Sequence, residues 1–219
     1  MMNNKMFIAV ASIVVVLGFL YGVYAFTNKP VVTDFPEVVK IATQDNTTWS
    51  KNKKIVLVEY SDLQCPACKK FHDSIKQTIA SDKTITDNVT FVYRHFLLDN
   101  AHSNARAAAY AAEAAHNQNK FFDMIDKLFA TQEVWAKASN PQELFISYAK
   151  ELKLDETKFK EDMASDQVQK KVQDDVISGN KYDVQGTPTF YLDGKKVVNI
   201  NSFEEFKKLL QDTVKNKKS

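Results

Sequence analysis

The chain has 219 residues, of which 44% are hydrophobic and 26% are charged, and its formal net charge is +2. This composition is typical of a globular protein with one sizeable domain and additional segments. Arg94 and Arg106 are the only arginines, and the basic residues form no cluster of the kind that binds nucleic acids. The sequence therefore predicts no nucleic-acid partner.

The first predicted element is an apolar segment from Phe7 to Phe26 that contains no charged residue. At about 1.5 Å per residue, a helix of this length crosses a hydrocarbon core of about 30 Å. Lys5 precedes the segment, which favours a cytoplasmic N-terminus and a C-terminal domain outside the cytoplasm. A cleaved signal peptide, processed near Ala25, is the alternative. The apolar run is longer than a usual signal-peptide core, which favours a retained anchor.

We therefore expect residues 1–26 to form a cytoplasmic stub and a transmembrane helix, and residues 27–50 to form a tether. A short strand is expected near Val38 to Ala42, and a loop is expected from Asn46 to Lys54. With either fate of the N-terminal segment, the body of the protein lies outside the cytoplasm, where disulfides form and persist.

The two cysteines, Cys65 and Cys68, form a C-x-x-C motif at the predicted junction of a strand and a helix. The apolar run from Ile55 to Val58 predicts the strand, and Pro66 suits the first turn of the helix. A thiol at a helix start faces free amide donors and the positive end of the helix dipole, which favour the thiolate. We therefore predict that Cys65 is the reactive thiol and that Cys68 is the resolving thiol.

Two other interpretations of this motif are less favoured. Half of a zinc site would need two more ligands at suitable spacing, but the chain has no further cysteine, and its histidines show no paired spacing. Those histidines are His72, His95, His102 and His116. A purely structural disulfide would close a very small loop and constrain little of the unfolded chain. Redox chemistry is the favoured interpretation.

A β-α-β unit surrounds the motif. The alternation of residues 89–94 predicts a strand, and this strand should run parallel to the strand at 55–60 because a helix, residues 66–80, connects them.

Residues from about 103 to 178 read as a succession of helices without any strand pattern. An alanine-rich helix from Ala105 to His116 is expected after a cap at Ser103 or Asn104. The following predicted features are an apolar stripe over residues 121–129, a helix start at Asn140-Pro141, a cap at Asp155 and a helix stop at Gly179. This region is therefore predicted to be an insertion or a small helical subdomain.

Strand signals return at Thr189 to Leu192. A two-residue turn at Asp193-Gly194 should lead into a partner strand from Lys195 to Ile200. Pro188 cannot donate to a ladder and should lie at the first position of its strand. A capping box at residues 202–205 starts the final predicted helix.

Four stretches together carry a resemblance to a known family. They are Glu-Tyr-Ser-Asp-Leu-Gln-Cys-Pro-Ala-Cys at 59–68, Tyr-Arg-His-Phe at 93–96, Asn-Ala at 104–105 and Gly-Thr-Pro-Thr-Phe at 186–190. In these stretches the chain resembles the thioredoxin superfamily and, more closely, its DsbA-like branch. The resemblance covers about residues 50 to 215. It implies an α/β thioredoxin-like fold, with a central mixed sheet flanked by helices and an inserted all-helical subdomain. The fold would occupy residues 51–100 and 180–219, and the insertion residues 101–179.

The resemblance also implies an activity, that of a thiol–disulfide oxidoreductase with Cys65 as nucleophile and Cys68 as its partner. It implies that Pro188 is cis and faces the cysteines, and that Thr187 offers backbone groups to an extended peptide. Glu59 would be a buried acid that relays protons to the inner cysteine; the alternative is a half-exposed strand residue. Beyond the redox-active disulfide, no metal or organic cofactor is expected.

The expected substrates are exported proteins with reduced cysteines, and the expected electron partner is a membrane quinone-linked enzyme that reoxidises the pair. The implied location is a bacterial cell membrane, with a single pass. A disulfide reductase or isomerase of the same fold, or a non-catalytic peptide-binding chaperone module, remains an alternative.

The chain also departs from the family pattern. Ala67 stands where the most oxidising members carry His, so Cys65 is expected to be less acidic than in those enzymes. Leu97 stands where relatives often have Pro. His72 lies one turn past Cys68, where a histidine can lend charge, but a plain surface histidine is the favoured interpretation.

Overall fold

The computed structural model describes residues 15–19, 34–52, 54–198 and 202–218. The chain divides into two compact units, Met1–Thr33 and Asp34–Ser219. In the first unit the described residues, 15–19, are helical. The remainder of the predicted transmembrane segment, Phe7 to Phe26, lies outside the described residues. Within the described part of the chain, no helix combines the length and the apolar character needed to cross a bilayer.

A five-stranded sheet forms the centre of the second unit. Its strands are β1 (Asn46–Trp49), β2 (Ile55–Ser61), β3 (Val89–His95), β4 (Thr189–Leu192) and β5 (Lys195–Lys196). The helices are α1 (Pro66–Thr78), α2 (Lys83–Thr86), α3 (Ala105–His116), α4 (Phe121–Ala130), α5 (Gln132–Trp135), α6 (Gln142–Glu151), α7 (Glu156–Ala164), α8 (Asp166–Lys181) and α9 (Phe203–Lys218). Helices α3 to α8 all lie between β3 and β4 in the chain, so the predicted helical insertion is confirmed.

The sheet has the order β1-β3-β2-β4-β5, and β2 is its central strand. Strand β2 runs parallel to β3 and antiparallel to β4, which confirms both the predicted β-α-β unit and the mixed sheet. Every residue of β2 and β3 is buried, as expected for strands that are covered on both faces. The end of β2 leads directly into the C-x-x-C motif. Because β2 pairs antiparallel with β4, the Pro188 loop before β4 lies at the same end of the strands.

The two faces of the sheet carry different cores. The larger core contains Leu57, Phe91 and Phe190 and joins the sheet to α1, α9 and the inserted helices. The smaller core contains Val58 and Tyr191 and is closed by residues from the 34–41 segment. Alternate residues along β2 therefore point into different cores, which follows from the two-residue period of a strand.

Two expectations for the segment before β2 are wrong. A 3₁₀ turn at Pro36–Val39 occupies the start of the strand predicted near Val38 to Ala42, and residues 40–42 are not in a strand. The first part of the predicted loop from Asn46 to Lys54 is β1, which pairs antiparallel with β3. An edge strand obtains its backbone hydrogen bonds from a neighbour distant in sequence, so its own residues carry a weak signal. Residues 34–50, expected in the tether, belong to the second unit.

The ends of several elements differ from their predicted positions. Helix α6 begins at Gln142, one residue after Pro141, and Asn140 Oδ1 accepts a hydrogen bond from the Gln142 amide at 3.1 Å. The turn at Asp193-Gly194 is confirmed by φ angles of 49° and 88°. Strand β5 ends at Lys196, short of the predicted end at Ile200, and residues 199–201 lie outside the described part.

Gly179 does not end its helix, because α8 continues to Lys181. Its role is close packing, since a Cβ atom there would lie 2.4 Å from Cδ2 of the Phe96 ring and 3.2 Å from Cδ1 of Tyr60.

We predict that Gly179→Ala lowers the free energy of unfolding by about 1–3 kcal/mol, because overpacking outweighs the gain in helix propensity. The matched control is Gly186→Ala, since a Cβ atom at Gly186 would meet nothing within 4 Å. Urea unfolding of both variants measures the difference. Equal stabilities would contradict the packing role.

Candidate active site

Cys65 is the N-cap residue of α1, and Pro66 occupies the first turn, as the sequence predicts. Both cysteines are free thiols. Cys65 retains 6% of its surface and Cys68 retains none, so Cys65 is the thiol that a partner can reach.

The Thr187–Pro188 peptide bond is cis, as the family resemblance implies. The Thr187 carbonyl oxygen lies 3.4 Å from Cys65 Sγ. Two segments separated by more than half of the chain therefore meet at one sulfur atom. The antiparallel pairing of β4 with β2, which includes the pair Thr189–Tyr60, brings them together.

The two thiols have opposite acidities. The pKa of Cys65 is lowered from 9.0 to about 5, chiefly because the Cys68 thiol donates a hydrogen bond to its sulfur, and the backbone amides of Cys68 and Ala67 add to the effect against an opposing cost of burial. Burial raises the pKa of Cys68, and hydrogen bonding to Cys65 and the charge of Glu59 raise it further. In the dithiol form, the negative charge at neutral pH resides on Cys65.

Glu59 lies on β2 with 4% of its surface exposed, so it is buried and the half-exposed alternative is wrong. Burial raises the pKa of its carboxyl group from 4.5 to about 7. Its charge in turn raises the pKa of the Cys68 thiol, which places the carboxyl group within electrostatic reach of the inner cysteine.

The raised pKa of Glu59 predicts that Glu59→Gln stabilises the protein in a pH-dependent way. The folded state holds its proton up to about pH 7, whereas the unfolded state releases it near pH 4.5, so native stability falls between those values. The difference of about 2.5 pKa units corresponds to about 3 kcal/mol. We expect Glu59→Gln to gain about that much at pH 8 and nothing at pH 4, measured by urea unfolding of the dithiol form. A gain of the same size at both pH values would contradict this account.

The inserted helical region holds the motif from the other side through Gln132, which was not predicted from the sequence, and Asn104, which was expected as a helix cap. Gln132 on α5 donates hydrogen bonds to the carbonyl oxygens of Leu63 and Cys65, at 2.7 and 3.2 Å. The Asn104 side chain donates to the carbonyl oxygens of Trp135 and Ala138, at 3.0 and 2.9 Å. No local pattern identifies these amides, because their partners are distant in sequence.

Asp62 is a further residue beside the motif that was not predicted from the sequence, and it is fully buried. Its carboxylate accepts hydrogen bonds from the backbone amides of Gln64 and Leu98 and lies 2.8 Å from Nδ1 of His102. An Asp that accepts a hydrogen bond from the amide two residues later is a recognised turn signal, so the contact with Gln64 can be predicted from the sequence.

A buried cluster of His95, Glu113 and Asp175 has the ligand-atom spacing of a metal site, with its atoms within 4.8 Å of one another. However, Lys171 Nζ lies 2.6 Å from an Asp175 oxygen and 3.8 Å from a Glu113 oxygen. An ammonium group thus already supplies the positive charge between the carboxylates. The residues fit a buried ion-pair cluster better than a metal centre.

The curated relatives of this chain are much longer proteins. It is 32% identical over 153 residues to the Na(+)/H(+) antiporter NhaA 1 of Salinispora arenicola, and the match covers 70% of this chain and 22% of that protein. It is 34% identical over 160 residues to the Na(+)/H(+) antiporter NhaA 1 of a Mycobacterium species, covering 70% of this chain and 24% of the relative. The chain therefore spans about a quarter or less of these relatives' length.

Solved structures share the fold at low sequence identity. BdbD from Bacillus subtilis in its oxidised form superposes with a TM-score of 0.69 at 24% identity, covering 78% of this chain and 94% of that one. Wolbachia pipientis α-DsbA1 gives 0.71 at 19% identity, covering 84% and 99%. The catalytic domain of Proteus mirabilis ScsC gives 0.64 at 15% identity, covering 82% and 94%.

The family model Thioredoxin_4, described as thioredoxin, matches residues 49–212, which include the C-x-x-C motif and the cis-proline loop. Together with the helical insertion between β3 and β4, this match means that the chain belongs to the DsbA-like family of thiol–disulfide oxidoreductases.

Proposed function

We propose that this protein is an oxidase that introduces disulfide bonds into exported proteins. The observation that carries the proposal is the lowered pKa of Cys65 beside the raised pKa of Cys68. A stabilised Cys65 thiolate favours the dithiol form over the disulfide form, and a pair that favours its reduced form oxidises other thiols.

The proposed reaction begins with the Cys65–Cys68 disulfide. A substrate thiolate attacks Cys65 Sγ, a mixed disulfide forms, and the sulfur of Cys68 leaves and takes up a proton. A second thiolate of the substrate attacks the substrate sulfur of the mixed disulfide and expels Cys65 as a thiolate. The substrate loses two electrons and gains one disulfide, and the enzyme gains both electrons.

The cis-proline loop supports a role in holding the substrate chain. An extended peptide beside Thr187 would pair with backbone groups next to Cys65, as in strand addition to a sheet edge. The 3.4 Å distance between Cys65 Sγ and the Thr187 carbonyl oxygen supports this role of the loop.

The main test mixes the purified, oxidised chain with a reduced, unfolded substrate and measures disulfide formation. We expect oxidation by the native chain and none above background with Cys65→Ser or Cys68→Ser, because neither variant can form the Cys65–Cys68 disulfide that accepts the substrate's electrons. If Cys65→Ser oxidises substrate as fast as the native chain, the proposal is wrong.

A redox equilibrium with glutathione tests the direction of the reaction. An oxidase should have a potential well above that of thioredoxin, which is about −270 mV. A potential near or below that value would instead assign a reductase. Ala67 makes this measurement decisive, because it supplies no cation beside the thiolate.

We also propose that the segment Phe7 to Phe26 anchors the domain to the outer face of a bacterial cell membrane, where a quinone-linked partner reoxidises the cysteine pair. The length and apolar character of the segment and the preceding Lys5 support this topology. N-terminal sequencing of the membrane-extracted protein tests it. A mature N-terminus directly after Ala25 would replace the anchor with a cleaved signal peptide.

A further inference from the structure

A cavity of about 200 Å³ is lined by the buried residue Glu59 and by residues at the protein surface. Its walls are mainly apolar and aromatic side chains from β1, β3, α1 and α4. They include Trp49, Ile75, Phe91, Phe122 and Ile125. The titratable groups that line it are Glu59, His72, Lys76, Tyr93 and Asp126.

These groups change from buried to exposed along the cavity. Glu59 and Tyr93 lie on the sheet with 4% and 2% of their surface exposed. The side chains of His72 and Asp126 are 21% and 39% exposed, and that of Lys76 is 60% exposed. The cavity thus has a carboxyl group at its buried end and a charged, solvated group at its outer end.

The imidazole at the outer end is held in position. His72 Nε2 lies 2.8 Å from Asp126 Oδ1, and Lys76 Nζ donates to the other oxygen of the same carboxylate. The His72 ring also packs on the Phe129 ring, with centroids 4.7 Å apart. Two helices, α1 and α4, therefore fix this ring at the cavity.

The buried end has spare hydrogen-bonding capacity. The Tyr93 hydroxyl group is buried and makes no hydrogen bond within the described part of the chain. Buried polar groups are normally satisfied, by water where protein partners are lacking. A cavity of this volume that is lined by a carboxyl and a hydroxyl group has the room and the polar partners for several water molecules.

We propose that this cavity is the proton path of the active site, in which His72, positioned by Asp126, delivers protons from solvent to Glu59. This inference rests on the proposed function. When Cys68 leaves the disulfide as a thiolate, Glu59 gives it a proton and becomes a carboxylate. A proton passes from the His72 imidazolium through water in the cavity to Glu59, and His72 takes up a proton from solvent. Charge balances at each step, and in the reverse reaction the proton moves outward.

The chemistry of each group matches this path. Imidazole is the side chain best suited to exchange protons with solvent near neutral pH. The pKa of Glu59, raised to about 7 by burial, lets the carboxyl group accept and release a proton in the same range. Cys68 itself has no exposed surface, so its proton cannot come directly from bulk water.

The test is the rate of one turnover at about pH 8 in weak buffer, measured by mixing the oxidised chain with excess dithiol and trapping free thiols. His72→Gln keeps a donor for Asp126 and removes the imidazole ring. We expect this variant to be slower by about tenfold or more, and we expect added imidazole to restore its rate. Its redox equilibrium with glutathione should be unchanged, because a proton path alters rates and not the end state.

Two controls make the result specific. His116→Gln removes a partly buried histidine that lies 2.6 Å from Asn46 Oδ1 and does not line this cavity, and its rate should be that of the native chain. In a Glu59→Gln background, His72→Gln should cause no further loss, because both residues act in one path. A native rate for His72→Gln, or a slow rate that imidazole does not restore, would overturn the inference. An enzyme that fails to oxidise substrates but still shows these effects would contradict only the proposed direction of catalysis.

Discussion

Iodoacetamide is expected to alkylate Cys65 of the reduced protein with a midpoint near pH 5, compared with 9.0 for an ordinary thiol. At about pH 6 nearly all of Cys65 is a thiolate, whereas only about one ordinary thiol in a thousand is ionised. Nucleophilicity falls with pKa, which offsets much of this advantage, so the expected rate is about tenfold above that of a free cysteine. The order should reverse above about pH 7, because the ionised fraction of an ordinary thiol rises about tenfold per pH unit while Cys65 is already fully ionised.

The variant Cys68→Ala tests the cause of this low pKa. The Cys68 thiol makes the largest contribution to lowering it, so the variant should move the midpoint to higher pH. Ser74→Ala, on the same helix, removes a hydroxyl group that donates to the Lys70 carbonyl oxygen, and it should leave the midpoint unchanged. Because the folded-state pKa is lowered, the thiolate contributes stability to the folded dithiol form that is complete above about pH 9 and is lost progressively as the pH falls to about 5. An unmoved midpoint in Cys68→Ala would assign the effect to the helix start alone.

Arg94→Met is expected to lower the free energy of unfolding by about 3–5 kcal/mol, because it leaves a buried carboxylate without its partner. Arg94 Nε and Nη2 donate to the two oxygens of Asp45 at 3.0 and 2.8 Å. Its Nη1 and Nη2 also donate to the carbonyl oxygens of Val38 and Lys40, each at 2.9 Å. One guanidinium group thus ties the 34–45 segment to β3.

The chain supplies the matched control, since Arg106 is its only other arginine. Arg106 pairs with Asp99 at the surface, with side-chain exposures of 37% and 49%. Exposed pairs contribute at most about 1 kcal/mol, so Arg106→Met should change stability by no more than that. Urea unfolding followed by tryptophan fluorescence compares the two variants. Equal losses of unfolding free energy in the two variants would show that breaking the buried Arg94 pair costs no more than breaking the exposed Arg106 pair.

Local sequence was enough to predict the parts of the site that lie close together in the chain. The strand at Ile55, the C-x-x-C motif and the helix after Pro66 follow from apolar spacing and turn chemistry within one short stretch. Helix α3 was predicted at its observed bounds, Ala105–His116, because alanine propensity and the following polar residues are local signals. The position of the Pro188 loop opposite the cysteines came from family resemblance, since its residues alone indicate only a turn.

The errors arose where an element depends on a distant partner. The strand Asn46–Trp49 exists because β3 offers it a hydrogen-bonding edge, and Gly179 lies inside α8 because Phe96 packs against it. The residues next to these elements in the chain carry no signal for either contact. His72 gave the signal of a surface histidine, and only the packing of α4 against α1 placed Asp126 and Phe129 around its ring.

The sequence by itself determined which atoms can react: it supplied two thiols at the start of a helix, a proline before a strand and an acidic residue on a buried strand. The tertiary structure decided the protonation states of these groups, because a pKa depends on burial and on neighbouring charges that meet only in the folded chain. The acidity of Cys65, the retained proton of Glu59 and the cavity that joins Glu59 to His72 are therefore properties of the fold.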